Sequence, residues 1–268
     1  MTTTAKPPVP PRRQRRDWSV ASAVKRRCIR WAQLAADRGL LGMRQSRSVI
    51  VCGMPRSGST LLKLMLQTGY PDSKHFGRER SGLRVARDEW PGSHSLLVSK
   101  RPNDVFWVDE IREFYRGRAR APVFIVTTRD PRAMLTSKHV RRADYYVSVE
   151  RWRALWAHIK YVRSAPDVLT VDYRELVQAP REIQRRLSAA IGEEPVAPFD
   201  SVGERVPEGF EAAALNGVRP IDTASLDKWR DPQHHERIRT VLREIPDLPS
   251  VLVDEGYEPD DSWLARYR

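Results

Sequence analysis

The chain has 268 residues, 40% of them apolar and 30% charged, with a formal net charge of +13. That length buries a substantial core in one large domain or two small ones. Two cysteines, Cys28 and Cys52, exclude a disulfide framework and a Cys-rich metal site. There is no run of 18 apolar residues, so no transmembrane helix is expected, and the arginine-rich start lacks the apolar core of a signal peptide. The expected compartment is therefore the cytoplasm. The charge is uneven: residues 1–47 carry twelve Lys/Arg against Asp17 and Asp37, a net +10, and the other 221 residues net only +3. The basic character thus belongs to the beginning of the chain and is not evidence for a nucleic-acid-binding body, so no specific nucleic-acid partner is expected.

Residues 1–16 are rich in Pro and Arg without apolar periodicity and read as disordered. Residues 18–41 read as an amphipathic helix, with Val20, Val24, Cys28, Trp31 and Ala35 on one stripe and Lys25, Arg26, Arg27 and Arg30 mostly off it. Two readings stay open. The stripe packs this first helix on the core, or the basic helix meets an anionic membrane or partner, which would make the protein peripheral at the inner membrane surface. The division expected is a basic N-terminal segment, 1–47, and a catalytic domain, 48–268.

SVIVCG (48–53) is a buried-strand signal, and SGSTLLKLMLQTG reads as the helix after it. Strands are predicted at 95–100, 121–130 and 167–173. Helices are predicted from Pro131 through PRAMLTSKHV, at 149–164, at 180–192 and at 232–243, with 193–228 loop-like. Strands alternating with helices predict an α/β fold of P-loop type, in three layers, with a mostly parallel central sheet flanked by helices.

The first strand–helix junction reads CGMPRSGST, residues 52–60. It keeps the Gly-x4-Gly outline of a phosphate-binding loop but has Ser59 where a nucleotide kinase has lysine. Backbone N–H groups at such a junction and the helix dipole favour an anion. Gly58 allows close approach, Ser57, Ser59 and Thr60 add hydroxyls, and Arg56 adds a planar cation. The strand 121–128 ends in Thr-Thr-Arg129, a cation where a magnesium-binding carboxylate would stand. A metal-free anion site fits this pattern better than Mg²⁺-ATP.

PRSGSTLL after a strand resembles the 5′-phosphosulfate loop of sulfotransferases, which use 3′-phosphoadenosine 5′-phosphosulfate (PAPS). VFIVTTRDPRAMLTSKH resembles the same family's second element, a strand ending in Arg-[Asn/Asp]-Pro-Arg with a serine eight residues after the first arginine. By that resemblance Arg129 and Ser137 hold the 3′-phosphate, with Ser137 two turns into the next helix. VDYRELVQAP (171–180), VSKRP (98–102) and RPIDTASLDKWR (219–230) are similar to weaker family elements, the last to the nucleotide-covering segment of the bacterial, Golgi carbohydrate and tyrosylprotein branch. The similarity spans about 48–258.

The resemblance implies a PAPS-dependent sulfotransferase, metal-free, acting on an acceptor hydroxyl of a saccharide, glycolipid or other non-phenolic molecule. Arg56, Ser57, Gly58, Ser59, Thr60, Arg129 and Ser137 would bind the cosubstrate, and Trp229 would cover the adenine. Arg56 and Lys100 would flank the transferred group. The histidine base of small-molecule sulfotransferases is replaced by Pro102, which leaves Glu79, in FGRERS, as the expected general base, with His75, Asp88 and Glu89 as alternatives. Arg78, Arg80, Arg84 and Arg87 hint at an anionic acceptor or form a solvated charged segment. A P-loop kinase, or a silent nucleotide fold binding membrane or nucleic acid through residues 1–47, are the competing classes. Acceptor choice is expected in loops 70–94, 140–150 and 193–218.

Overall fold

The computed structural model describes residues 5–11, 20–40, 42, 46–76, 79–92, 94–138, 144–202 and 221–267. Five strands form one sheet: β1 (Arg47–Gly53), β2 (Ser73–His75), β3 (Leu96–Lys100), β4 (Val123–Thr128) and β5 (Val168–Asp172). Their order is β2-β3-β1-β4-β5, and every pairing is parallel.

The alternation of side chains along β1 explains the three layers. Val49 and Val51 point to one face, where they meet Val123, Ile125 and Val171 and the helices α2 (Ser59–Gly69) and α8 (Pro180–Ile191). Ile50 and Cys52 point to the other, among Phe124, Val126 and the helices α3 (Gly82–Asp88), α4 (Val108–Tyr115) and α6 (Val149–Val162). A strand buried on both faces has to be a continuous apolar run, as SVIVCG is. Two shorter helices, α5 (Pro131–Leu135) and α7 (Tyr173–Gln178), follow β4 and β5. The chain ends with α9 (His235–Glu244) and α10 (Leu248–Asp254).

Two elements inside the segment 70–94, read as a loop, are ordered: β2 and α3; α10 follows the last helix that the sequence pattern marked. The helix expected from Pro131 to Val140 stops at Leu135. Thr136 ends it by bonding its own hydroxyl back to the Arg132 carbonyl, 2.7 Å.

The basic N-terminal segment is not wholly detached from the domain. Residues 5–11, assigned by composition to a disordered tail, lie against the body: Lys6 pairs with Asp109 at 2.6 Å and Val9 packs on the α4/α6 core. Helix α1 (Val20–Asp37) packs on α3. Arg26 binds Asp88 at 2.8 Å, and Gln33 donates to the carbonyls of Ala86 and Glu89. The face it buries carries Ile29 and Ala36, not the stripe Val20, Val24, Trp31, which stays exposed.

Candidate active site

The strand order sets where a ligand can sit. The connection leaving β1 runs towards β2 and β3, and the connection leaving β4 runs the other way, to β5. Their carboxyl ends therefore diverge at a switch point, the usual crevice of an open parallel sheet. The loop 54–58 leaves β1 there, and Arg129 leaves β4 beside it.

The loop is held by contacts that tolerate little change. Gly53 lies at φ +111°, where a Cβ would stand 2.5 Å from the Thr127 carbonyl oxygen. Met54 N–H donates to that carbonyl at 2.9 Å. Ser57 is fully buried, its hydroxyl 2.5 Å from the Met54 carbonyl oxygen and 2.6 Å from the Thr127 hydroxyl. The expectation that this hydroxyl faces a ligand is corrected: it is spent on the floor of the loop, and only the Ser57 backbone remains for an anion. Arg56 adopts φ +64°, among the described residues the one non-glycine in the left-handed region, and its side chain is exposed. Such a conformation is costly for arginine and is commonest at functional turns.

Gly58, at φ +81°, is the residue before the first turn of α2, and Leu62 N–H bonds its carbonyl. A Cβ there would lie 2.4 Å from Cδ2 of Tyr173. Gly58→Ala should therefore cost about 1–3 kcal/mol through overpacking and a disfavoured φ. Urea unfolding of the variant checks this; a midpoint equal to the wild type's would mean that the Tyr173 ring moves freely.

Two groups of side chains flank the loop. On one side Arg56 Nε donates to Ser137 Oγ at 3.0 Å, and Arg129 Nη1 donates to the Arg56 carbonyl at 3.0 Å. Ser137 reaches this position from just beyond α5, not from two turns inside a helix. On the other side Lys100, at the tip of β3, donates to Thr60 Oγ1 at 3.2 Å, and Glu79 Oε1 lies 3.5 Å from its Nζ. Seven of the expected residues thus gather at one loop: Arg56, Gly58, Thr60, Glu79, Lys100, Arg129 and Ser137. Ser59 is buried at the first residue of α2.

Trp229 does not join them. It is 2% exposed and packs with Ile238, Tyr267 and Trp263, stacked under the Arg132 guanidinium at 3.7 Å. Its ring is committed to the core and has no face for an adenine. Residues that the motifs did not single out lie closer. Arg129 Nη2 donates to the Ser225 carbonyl at 2.6 Å, its guanidinium lies 4.2 Å over the Tyr173 ring, and the Tyr173 and Ser225 hydroxyls are 2.7 Å apart. Ser225 belongs to the segment TASLDKWR, so part of that segment does close over the loop. Tyr173 stands in the quoted VDYREL stretch, where its ring could have been weighed.

The alternative bases are occupied. Burial pushes the His75 imidazole down to about 3, with nearby Lys63 adding to the shift, and its Nε2 is 2.6 Å from Ser73 Oγ. A group so weakly basic is a poor proton acceptor at neutral pH. Asp88 pairs with Arg26 and Arg84, and Glu89 with Lys74 and Arg80. Arg87 faces Glu110 at 3.9 Å. Arg80, Arg84 and Arg87 are therefore partnered by carboxylates and do not form a free cationic patch. Arg78, with Gly77, lies outside the described residues, as do 139–143 and 203–220 of the expected acceptor loops.

No protein-family model matches this chain, and no curated protein does. Among solved structures, it is similar to the sulfotransferase domain of the Synechococcus PCC 7002 olefin synthase, at 20% identity over 70% of this chain and 89% of that one, TM-score 0.48. It is also similar to the sulfotransferase domain of the curacin biosynthetic pathway, at 16% identity over 75% and 98%, TM-score 0.47.

Proposed function

We propose that the protein transfers a sulfuryl group from PAPS to an acceptor hydroxyl. The observation that carries this reading is Arg129. It is largely withdrawn from water, yet among the described residues it meets neutral acceptors only, the Arg56 and Ser225 carbonyls, and its Nε is buried without a partner. Burial depresses its guanidinium below the ordinary arginine value, with the Tyr173 phenol opposing and the Arg56 charge adding to the shift. Asp130 and Asp172 lie near enough to oppose the shift, but neither bonds the guanidinium, and a phosphate is the natural contacting anion. Its bond to the Arg56 carbonyl, together with the Arg56 side chain that reaches Ser137, sets it beside the loop 54–58 and provides for two anionic groups on one ligand, as a 3′-phosphate and a 5′-phosphosulfate require. A kinase reading gives the Arg129–Ser137 pair no task.

In this reading the loop N–H groups, the α2 N-terminus, Arg56 and Thr60 hold the 5′-phosphosulfate, and Arg129 with Ser137 holds the 3′-phosphate. The cosubstrate supplies the activated sulfuryl group. The acceptor oxygen forms its bond to sulfur as the bridging S–O bond breaks. Glu79 accepts the acceptor's hydroxyl proton. Lys100, on hand between Glu79 and Thr60, offers its ammonium to the charge that develops on the departing oxygen. The acceptor class that the motifs imply is a saccharide, glycolipid or other non-phenolic hydroxyl. Arg80, Arg84 and Arg87 are paired with carboxylates, which weakens the hint that it is anionic.

Calorimetric titration without Mg²⁺ tests the cosubstrate. Adenosine 3′,5′-bisphosphate should bind more tightly than ADP or 5′-AMP. Arg129→Ala should weaken it by about 30- to 150-fold, the worth of about 2–3 kcal/mol of charge-assisted hydrogen bonding. Binding of ADP that needs Mg²⁺, or no loss in Arg129→Ala, would overturn the assignment in favour of a kinase or a silent fold.

A further inference from the structure

The face of α1 that the sequence pattern marks as apolar is turned outward. Val20, Val24 and Trp31 are 80%, 57% and 67% exposed, whereas Ile29 and Ala36, at the back of the helix, are 0% and 3% exposed. At 100° per residue, Val20, Val24, Arg27 and Trp31 fall within roughly 60° of arc, and Arg38 follows just past the end of the helix. The direction of the stripe is fixed, because the back of the helix is bound to α3 through Arg26–Asp88 and Gln33, and to Arg118, which reaches both Gln33 and Asp37. A soluble protein does not usually display a tryptophan and two valines together on a rigid element without a use for them.

We propose that this face of α1 is a docking surface for an anionic lipid membrane. Charge complementarity selects the occupant. Arg27, Arg30 and Arg38 are exposed on and beside the stripe, and the segment 1–47 carries a net +10. An anionic headgroup layer takes the arginines, while its acyl boundary takes Val20, Val24 and Trp31; tryptophan favours that depth. A second copy of the chain is a poorer fit, since pairing the stripes would set these arginines against their own kind. Nucleic acid would use the arginines and leave the valines without purpose. No described helix is long and apolar enough to cross a membrane, so the contact is one of lying on the surface. It is independent of the reading of the active site.

The test is sedimentation of the whole protein with phosphatidylcholine vesicles, with and without phosphatidylglycerol. Binding is expected only to the anionic vesicles and weakens with added salt. Val24→Glu/Trp31→Glu should reduce it by at least about tenfold, because both the apolar contact and the local charge are lost. Both positions are exposed, so thermal melting should be unchanged. Cys28 is exposed and Cys52 buried, so an environment-sensitive dye can be placed on the helix at Cys28. Its emission should shift to the blue on vesicles. The proposal falls if anionic vesicles do not pellet the protein, if the double variant binds as the wild type does, if duplex DNA outcompetes vesicles, or if the stripe proves to join two copies in solution.

Discussion

Glu79→Gln is expected to lower kcat for sulfuryl transfer by about 10²- to 10⁴-fold, the usual contribution of a positioned general base. The glutamine keeps the shape and loses the basicity. Glu79 is half exposed and stands 3.5 Å from Lys100 Nζ, a pairing too wet to matter much for folding. Stability and bisphosphate affinity should therefore be unchanged, and this separates a chemical role from a structural one. The measurement is single-turnover transfer from a radiolabelled sulfuryl donor to the best hydroxyl acceptor found in a screen with the wild type. A variant that turns over normally would reduce Glu79 to a surface partner of Lys100. The proton would then leave by another route.

The second large effect is expected at Arg132, which acts far from any ligand. It is 1% exposed, yet its guanidinium binds Asp130 through Nε and Nη2 and Glu258 through Nη1, and sits in the corner formed by the T-shaped rings of Trp229 and Trp263, at 3.7 and 4.6 Å. It thus ties the end of β4 to the last turns of the chain and to the segment that carries Ser225. Arg132→Met keeps the stem and strips Asp130 of its bonded cation and Glu258 of its closer one, leaving Glu258 only Arg230 at 3.8 Å. The expected loss is about 3–5 kcal/mol, the cost of breaking a buried ion pair from one side. Urea unfolding measures it. Arg132→Met/Glu258→Gln should recover part of the loss, since one stranded charge is then gone. Bisphosphate affinity should fall with it in any folded fraction, because Ser225 no longer fixes Arg129. Unchanged stability in Arg132→Met would show that the two carboxylates find water easily and that the clamp is not structural.

How much of this could be read beforehand depended on where the information lay. β1, β3, β4 and β5 are apolar runs, and the core that surrounds them accounts for those runs. β2 is only Ser73-Lys74-His75, an edge strand too short and polar to leave a pattern. α3 hid in GLRVARD because its arginines draw attention from Leu83, Val85 and Ala86, which are buried. The outline of the phosphate loop was legible because local backbone geometry dictates it, whereas the part of Arg129 came from the family resemblance. The encounter of Glu79 with Lys100 came from motif order alone. Ser225 and Arg132 were not legible, since their roles depend on contacts made across 96 and 126 positions of sequence. The stripe on α1 was legible as a stripe, but whether it faced the core or the outside stayed open: periodicity shows that a helix has an apolar face, not what that face meets, and the structure leaves Val20, Val24 and Trp31 exposed. Trp229 shows the converse, a residue matched by motif and claimed by packing.

The order of the strands also bears on how the chain comes off the ribosome. β1 is the middle of the sheet and the third-last to find a home: its neighbours are β3, beginning at Leu96, and β4, beginning at Val123. At about 5–20 residues per second, the strand and the apolar face of α2 wait seconds for both partners to be synthesised. During that interval they offer nascent-chain chaperones a run of apolar side chains, Val49 to Cys52 and the leucine face of α2. Stop codons or stalls placed before residue 123 should leave a chain whose central strand has its β3 edge paired and its β4 edge open.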